Sequence, residues 1–412
     1  MDFMKTSAYL FKSLVLVFCA VLFSCKNDSS IGSSNNMVIP EVVDFNFHVR
    51  PILSDNCFTC HGPDENQRKS DLRLDTEEGA FTALKDYDED RFPFVSGKPH
   101  ESEAYNRLVS NDTSEVMPPP GSNLKVSEYE ISLIKKWIEQ GAQYKPHWAF
   151  VPPVKSELPS VTNEDWVSNE IDYFVKKIIE GIGLTPNARA DKARLLKRLS
   201  FDLTGLPPTL AMQESFINDD SDDAYEKVVD ELLANKHYGE KMAVHWLDVA
   251  RYADSHGYQD DGLRTMWPWR DWVIHAFNEN YPYDKFLTWQ LAGDLIPEEN
   301  IEALLATGFN RNHKITQEGG VIDEEYRIEY VTDRTNTFGK AFLGLTMECA
   351  KCHDHKYDPI SQNDYFSTFA FFDKVPEKGL FGTIDANFAD PPNMAISDEL
   401  IEDILTFINK KD

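Results

Sequence analysis

Residues 56–64 read NCFTCHGPD, and their reading decides the fold of the first part of the chain. Two thiols three positions apart lie on one turn, where they reach the two vinyl groups of a porphyrin. The histidine directly after the second thiol then comes under the iron as proximal ligand. The residues so assigned are Cys57, Cys60 and His61. A zinc half-site or a redox dithiol also uses Cys-x-x-Cys, so the flanks must arbitrate. Upstream, FNFHVRPILSDN (45–56) predicts a short first helix with Phe47, Ile52 and Leu53 as its apolar edge. Downstream, VMPPPGSN (116–123) places Met117 on a loop whose prolines reduce the freedom lost when sulfur binds iron. SEYEISLIKKWIEQGA (127–142) predicts a helix. Ser127 and Glu130 form its capping box, Ile131, Ile134 and Ile138 form one face beside Trp137, and Gly141 stops it. Neither a zinc half-site nor a dithiol accounts for the methionine loop and the closing helix. Met117 is the expected sixth ligand, with His48 and His100 as competitors. Methionine–histidine ligation closes the iron's coordination shell and raises its potential, which implies electron transfer rather than chemistry at the metal.

The 412 residues have room for two or three domains, and 42% hydrophobic residues suffices for packed cores. A formal charge of −28 argues against nucleic acid and anionic lipid headgroups as partners, and it would steer a basic redox protein toward the surface. At the N-terminus, Lys5 and Lys12 precede the apolar run SLVLVFCAVLF (13–23), too short to span a bilayer and suited to a secretory signal. Leu22-Phe23-Ser24-Cys25 resembles a bacterial lipobox, so residues 1–24 are expected to be cleaved and Cys25 to carry lipid; a plain signal peptide is the alternative. Residues 25–44 then form a polar tether. The expected location is outside the cytoplasm, on the periplasmic or cell-surface side of a bacterial membrane. Six cysteines are present: Cys19 in the leader, Cys25, and four in two Cys-x-x-Cys-His motifs. None is left over for a disulfide outside those motifs.

FNFHVRPILSDNCFTCHG, DLRLDTEEGA, VSGKPHESE, VMPPPG and HWAF, in that order, resemble the planctomycete-type cytochrome c domain. The resemblance covers about residues 45–150 and implies a small cytochrome c-like helical domain holding haem c.

After a linker (151–163) the chain is again helical in pattern. In DAYEKVVDELLANKHYG, residues Tyr225, Val228, Val229, Leu232 and Leu233 form one stripe. Strand-like alternation is scarce, so the fold class is mainly α throughout. RLSFDLTGLPPT, HYGEKMAVHWLDVARYADSHGY, RDWVIHAFN, LAGDL and CAKCHDHKYDPIS resemble the uncharacterised helical domain that usually follows that cytochrome. This resemblance implies an architecture over residues 164–375 but no reaction. Its members usually continue into a further domain, whereas this sequence ends after a tail, 376–412, with the helix-like SDELIEDILTFINKKD; a truncated or split protein is the expectation.

A second attachment motif, ECAKCHDHKYDP (348–359), is expected at the end of a long helix, with Cys349, Cys352 and His353 holding a second haem. A zinc site, either separate or joining Cys57, Cys60, Cys349 and Cys352 as four thiolates, is the alternative. His355 is a further hydrogen-bonding or ligating group, and His245 and His256 share one face if their helix is unbroken. Asp254, His256, Asp260, Asp261 and Arg264 cluster in a loop; Glu318, Glu324, Glu325, Arg327, Asp333 and Arg334 lie farther on. These carboxylates could hold a cation or do acid–base work, but a solvated, ion-paired helix face is the cheaper reading. The resulting expectation is an exported, lipid-anchored dihaem c-type cytochrome that depends on the haem-attachment machinery and moves single electrons. The rivals are a haem-dependent oxidoreductase with an open second iron, and a monohaem cytochrome joined to a zinc or thiol module.

Overall fold

The computed structural model describes residues 38–85, 90–259, 261–297, 300–381 and 391–394, with Glu399, Ile401, Glu402 and Thr406 beyond them. The leader, Cys25, Asp260 and most of the C-terminal tail lie outside the described residues. The chain divides into two compact units, Met1–Gly62 with Gln67–Trp148, and Pro63–Asn66 with Ala149–Asp412. Both are built from helices, and the described residues contain only isolated β-bridges. The protein is mainly α.

The first unit opens with a π-helical turn, Phe45–Val49, capped by Asp44, whose carboxylate accepts from the amides of Asn46 (2.8 Å) and Phe47 (3.2 Å). The turn runs into α1 (Arg50–Asn56), which carries Pro51 in its first turn, where a missing amide costs nothing. α2 (Phe58–His61), α3 (Glu77–Phe81), α4 (Glu103–Leu108) and α5 (Glu128–Glu139) follow. Phe45, Val49, Ile52 and Leu53 are buried at helical spacing, whereas Phe47, two residues from Phe45 and so on the opposite side of the turn, is exposed. Phe47 therefore does not belong to the expected apolar edge. α5 has the expected capping box: the Ser127 amide donates to the Glu130 carboxylate (2.7 Å) and the Glu130 amide to the Ser127 hydroxyl (3.3 Å). Its apolar face centres on Ile134, Ile138 and Trp137, with Ile131 at the margin. Trp137 packs between Phe45 (5.5 Å between rings) and Phe94 (5.1 Å, edge-on) and donates its indole N–H to the Gln143 carbonyl (3.1 Å).

The second unit is a longer helical array: α6 (Glu170–Gly181), α7 (Lys192–Thr204), α8 (Leu210–Asn218), α9 (Ala224–Leu233), α10 (His237–Val249), α11 (Trp267–Asn278), α12 (Tyr283–Ala292), α13 (Ile301–Ala306), α14 (Asp323–Phe338) and α15 (Gln362–Asp373). α9 buries Ala224, Val228 and Leu232 against α7 and α8, with Tyr225 half-buried; Leu233 is exposed, so its buried stripe is narrower than the sequence predicts. α10 packs closely on α11 because Gly239 lies where a Cβ would come within 2.4 Å of the Ile274 carbonyl oxygen. Beneath them, Trp269, Trp272, Phe286 and Phe309 form the main core.

Two expected helices are broken. α10 ends at Val249 in a Schellman motif: the Arg251 amide donates to the Asp248 carbonyl (3.1 Å) and the Tyr252 amide to the Leu247 carbonyl (3.0 Å), with Arg251 at φ +52°. His245 and His256 consequently do not share a helix face. α14 passes into a π-helical turn (Gly339–Leu343) and stops at Gly344, φ +64°. The chain then doubles back, so that Met347 packs where a side chain on Gly339 would come within 2.7 Å of its Cγ. The second cysteine motif therefore lies on a separate short turn, not at the end of a long helix.

Candidate functional site

In the first unit, Cys57 separates α1 from α2. Its carbonyl accepts from the amides of Cys60 (3.0 Å) and His61 (2.8 Å), which brings both thiols and the imidazole onto one turn. Phe58 points inward and is buried, with the Arg50 guanidinium 5.9 Å from its ring centre. The following loop folds back: the Lys69 amide donates to the Cys60 carbonyl (2.8 Å), the Leu74 amide to the His61 carbonyl (2.8 Å) and the Arg68 guanidinium to the Gly62 carbonyl (3.0 Å). Burial, reinforced by the neighbouring Cys60, pushes the Cys57 thiol up to about 12. Burial also pushes the His61 imidazole below its usual range; the Lys69 backbone opposes this and the Arg107 guanidinium adds to it. A neutral imidazole is the form that binds iron. His61 Nδ1 is a buried atom without a hydrogen-bond partner. The two half-buried thiols and this imidazole fit a covalently attached haem.

Met117 is half-buried, and its amide donates to the Arg107 carbonyl on α4 (3.1 Å). The Arg107 guanidinium is held by Glu103 (2.9 Å) and the Glu115 carbonyl (3.3 Å), so the methionine loop is tied to the residue whose charge acts on His61. His48 accepts the Asp44 amide on Nδ1 (2.9 Å) within its own turn, and His100 is exposed beside Tyr105.

In the second unit, Cys349 and Cys352 lie on and just after a 3₁₀ turn, Glu348–Lys351. The Cys349 carbonyl accepts from the amides of Cys352 (3.3 Å) and His353 (3.4 Å), the same pattern as in the first motif. Ala350 takes the place of Phe58 and is buried with Leu345, Met347, Ile360 and Tyr365. Both thiols and His353 are exposed. His353 donates from Nδ1 to the Asp354 carbonyl (2.7 Å), since a carbonyl only accepts; this leaves Nε2 as the lone-pair nitrogen. The first turn of α15 anchors the motif, with the Gln362 amide on Asp354 (2.8 Å) and its side-chain amide on the Lys351 carbonyl (3.1 Å). His355 is buried and accepts from the amides of Tyr357 (3.2 Å) and Asp358 (2.9 Å), so its Nδ1 braces the loop. Among the described residues, no three histidine, cysteine, aspartate or glutamate side chains converge as a metal-ligand set.

The charged clusters separate by burial. Glu324 and Arg327 form the expected surface pair, extended to Asp373 (2.9 Å), while Glu325 is exposed. Arg334 instead enters the core and, with Arg311, pairs with the buried Glu377. His313 lies 2.8 Å from Arg334 and 3.0 Å from Glu377. Burial and the Arg334 guanidinium push His313 down to about 3. Burial opposes ionisation of Glu377, yet His313, Arg334 and Arg311 hold its carboxyl well below the usual range. Arg264 reaches the His313 carbonyl (2.7 Å), and both ring nitrogens of His256 are buried without partners. Sequence reading missed Arg311, His313 and Glu377, because separate segments bring them together.

The first unit, with its helices, Cys-x-x-Cys-His turn and methionine loop, is a cytochrome c-like domain. Residues 57–121 match the Planctomycete cytochrome C family (PSCyt1). Residues 170–377, just over half of the chain, match PSCyt2, described as a protein of unknown function (DUF1549), and the chain belongs to that family. No curated protein and no solved structure matches it.

Proposed function

We propose that the protein is an exported, lipid-anchored c-type cytochrome that binds two haems covalently and transfers single electrons. The observation that carries this reading is the likeness of the two Cys-x-x-Cys-His turns. In each, the first cysteine's carbonyl accepts from the second cysteine and the histidine, and an inward residue (Phe58 or Ala350) leaves the thiols at the surface or half-buried. Cys57, Cys60, His61 and Met117 would hold the first haem, and Cys349, Cys352 and His353 the second. Haem c supplies a one-electron iron couple when bound. The protein's part would be to hold the two imidazoles and to supply the Met117 thioether at the first site.

Cys25 would anchor the chain to the outer side of a bacterial membrane, and the −28 charge favours a basic redox partner. Attachment at both motifs would require the cytochrome maturation machinery. One observation favours the rival oxidoreductase reading: Glu348, adjacent to Cys349, lines a cavity where a small molecule could lie next to the second motif.

Met117→Ala tests the assignment of the first iron's ligands. Covalent haem should be retained, while the reduction potential of one centre falls by on the order of 100 mV or more, because loss of a thioether ligand favours the ferric state. An unchanged potential would remove Met117 from the site.

A further inference from the structure

α6 presents its two faces in the reverse of the usual order. Its inner side carries Asp172, Tyr173, Lys176, Ile179 and Glu180, and Lys176 is the only buried residue of the helix. Ile171, Phe174, Val175 and Ile178 are exposed at i, i+3, i+4 and i+7, and Ile182, just beyond the helix, continues the stripe at i+11. A surface helix ordinarily buries such a stripe and exposes its charges. Here the polar side is the one tied down. Lys176 reaches Glu180 (3.8 Å), and the Thr162 amide (3.2 Å) and hydroxyl donate to the Glu180 carboxylate. Lys155 holds the first turn through Glu170 (2.8 Å), and Asn169 with Asp172 closes a capping box. The orientation is thus fixed by specific bonds, and among the described residues no other helix packs along α6.

The outward stripe is large enough to be an interface. Ile171 is 72% exposed, Ile178 68% and Ile182 66%, with Phe174, Val175 and Leu184 also exposed. Together these side chains present several hundred Å² per copy, the scale of the roughly 800 Å² that each partner gives to a stable interface. A continuous apolar surface of this extent marks a binding face.

The charges beside the stripe select what covers it. Glu164, Asp165, Glu170, Asp172 and Glu180 outnumber Lys176 and Lys177 on α6 and its approach, which disfavours an anionic lipid surface. They equally disfavour the acidic run Asp398, Glu399, Glu402 and Asp403 of the chain's own tail. Glu170 and Lys177 are both exposed, carry opposite charge and lie seven residues apart on the same edge of the stripe. A second copy laid antiparallel across a two-fold axis brings Glu170 of each chain to Lys177 of the other while stripe meets stripe. We propose that the outward stripe of α6, formed by Ile171, Phe174, Val175, Ile178 and Ile182, joins two copies of this chain as an antiparallel helix pair. The net charge of −28 on each copy opposes approach at long range, but salt screens it beyond about 8 Å at physiological ionic strength. The proposal does not depend on the number of haems.

Sedimentation velocity of the haem-loaded protein, residues 26–412, tests it over about 1–100 µM. A monomer–dimer equilibrium should appear, with a dissociation constant in the micromolar range. Ile171→Glu/Ile178→Glu should be monomeric throughout, with a urea midpoint no lower than that of the wild type, because both side chains are exposed. Glu170→Lys and Lys177→Glu should each weaken the dimer about tenfold, since each sets like charges against one another twice. The double variant Glu170→Lys/Lys177→Glu should recover the wild-type affinity, a rescue that only the antiparallel register produces. A monomer at every concentration would overturn the proposal. In that event, dimerisation on removal of residues 395–412 would assign the face to the chain's own tail, and flotation with phosphatidylcholine vesicles would assign it to lipid. A dimer untouched by the isoleucine substitutions would also overturn it, as would a double variant no tighter than the singles.

Discussion

Gly62 follows His61, and a Cβ there would come within 2.3 Å of the Phe58 carbonyl oxygen. The restriction is steric and local. Only a residue without a side chain lets the chain leave α2 and return through Lys69 and Leu74 to the backbone of Cys60 and His61. Gly62→Ala should therefore move the backbone of the Cys57–His61 turn, costing about 1–3 kcal/mol as overpacked sites do. Urea unfolding of the purified protein would measure the cost, and a variant as stable as the wild type would show that the turn relaxes freely. Arg251 is the opposite case: a residue with a side chain at a position that suits glycine, retained at the edge of a cavity.

α14 is tied to the core through Arg334, which meets Glu377 from beyond α15 and His313 from the segment before α14. The folded values of His313 and Glu377 both lie below their ordinary ones. The unfolded chain therefore binds more protons as pH falls, and the stability these groups confer is present above their ordinary ranges and lost on acidification. His313 titrates first. Below about pH 6.5 it should cost about 1.4 kcal/mol of stability per pH unit, with Glu377 adding its share below about pH 4.5. Urea unfolding at pH 7, 6 and 5 should show this slope, and His313→Gln should flatten it across that interval. Equal slopes in the two proteins would show that His313 is not held neutral by the fold.

At the scale of the whole molecule, legibility followed locality. That Cys57, Cys60 and His61 share one turn could be read from sequence because the hydrogen bonds that form it span only four residues. The Ser127–Glu130 box could be read because its two hydrogen bonds span three residues. The helix breaks at Arg251 and Gly344 were not legible as such: an arginine carries no stop signal, and Gly344 lies within an otherwise helical pattern. The cavity was hidden for a different reason. Asp248 and Arg251 come from the end of α10, Asn336 from α14, and Lys340 and Glu348 from turns beyond it, so that tertiary packing alone joins them. The likeness of the two cysteine turns is visible in sequence and in backbone geometry, and the proposed dihaem function rests on it. The most direct measurement is haem content: residues 26–412 produced with a periplasmic export signal and cytochrome maturation proteins, then assayed for pyridine haemochrome and bound zinc per chain. Two covalent haems are expected in the wild type and one in Cys349→Ala/Cys352→Ala. One haem in both proteins would contradict the dihaem proposal and leave the second motif to zinc or to thiol chemistry.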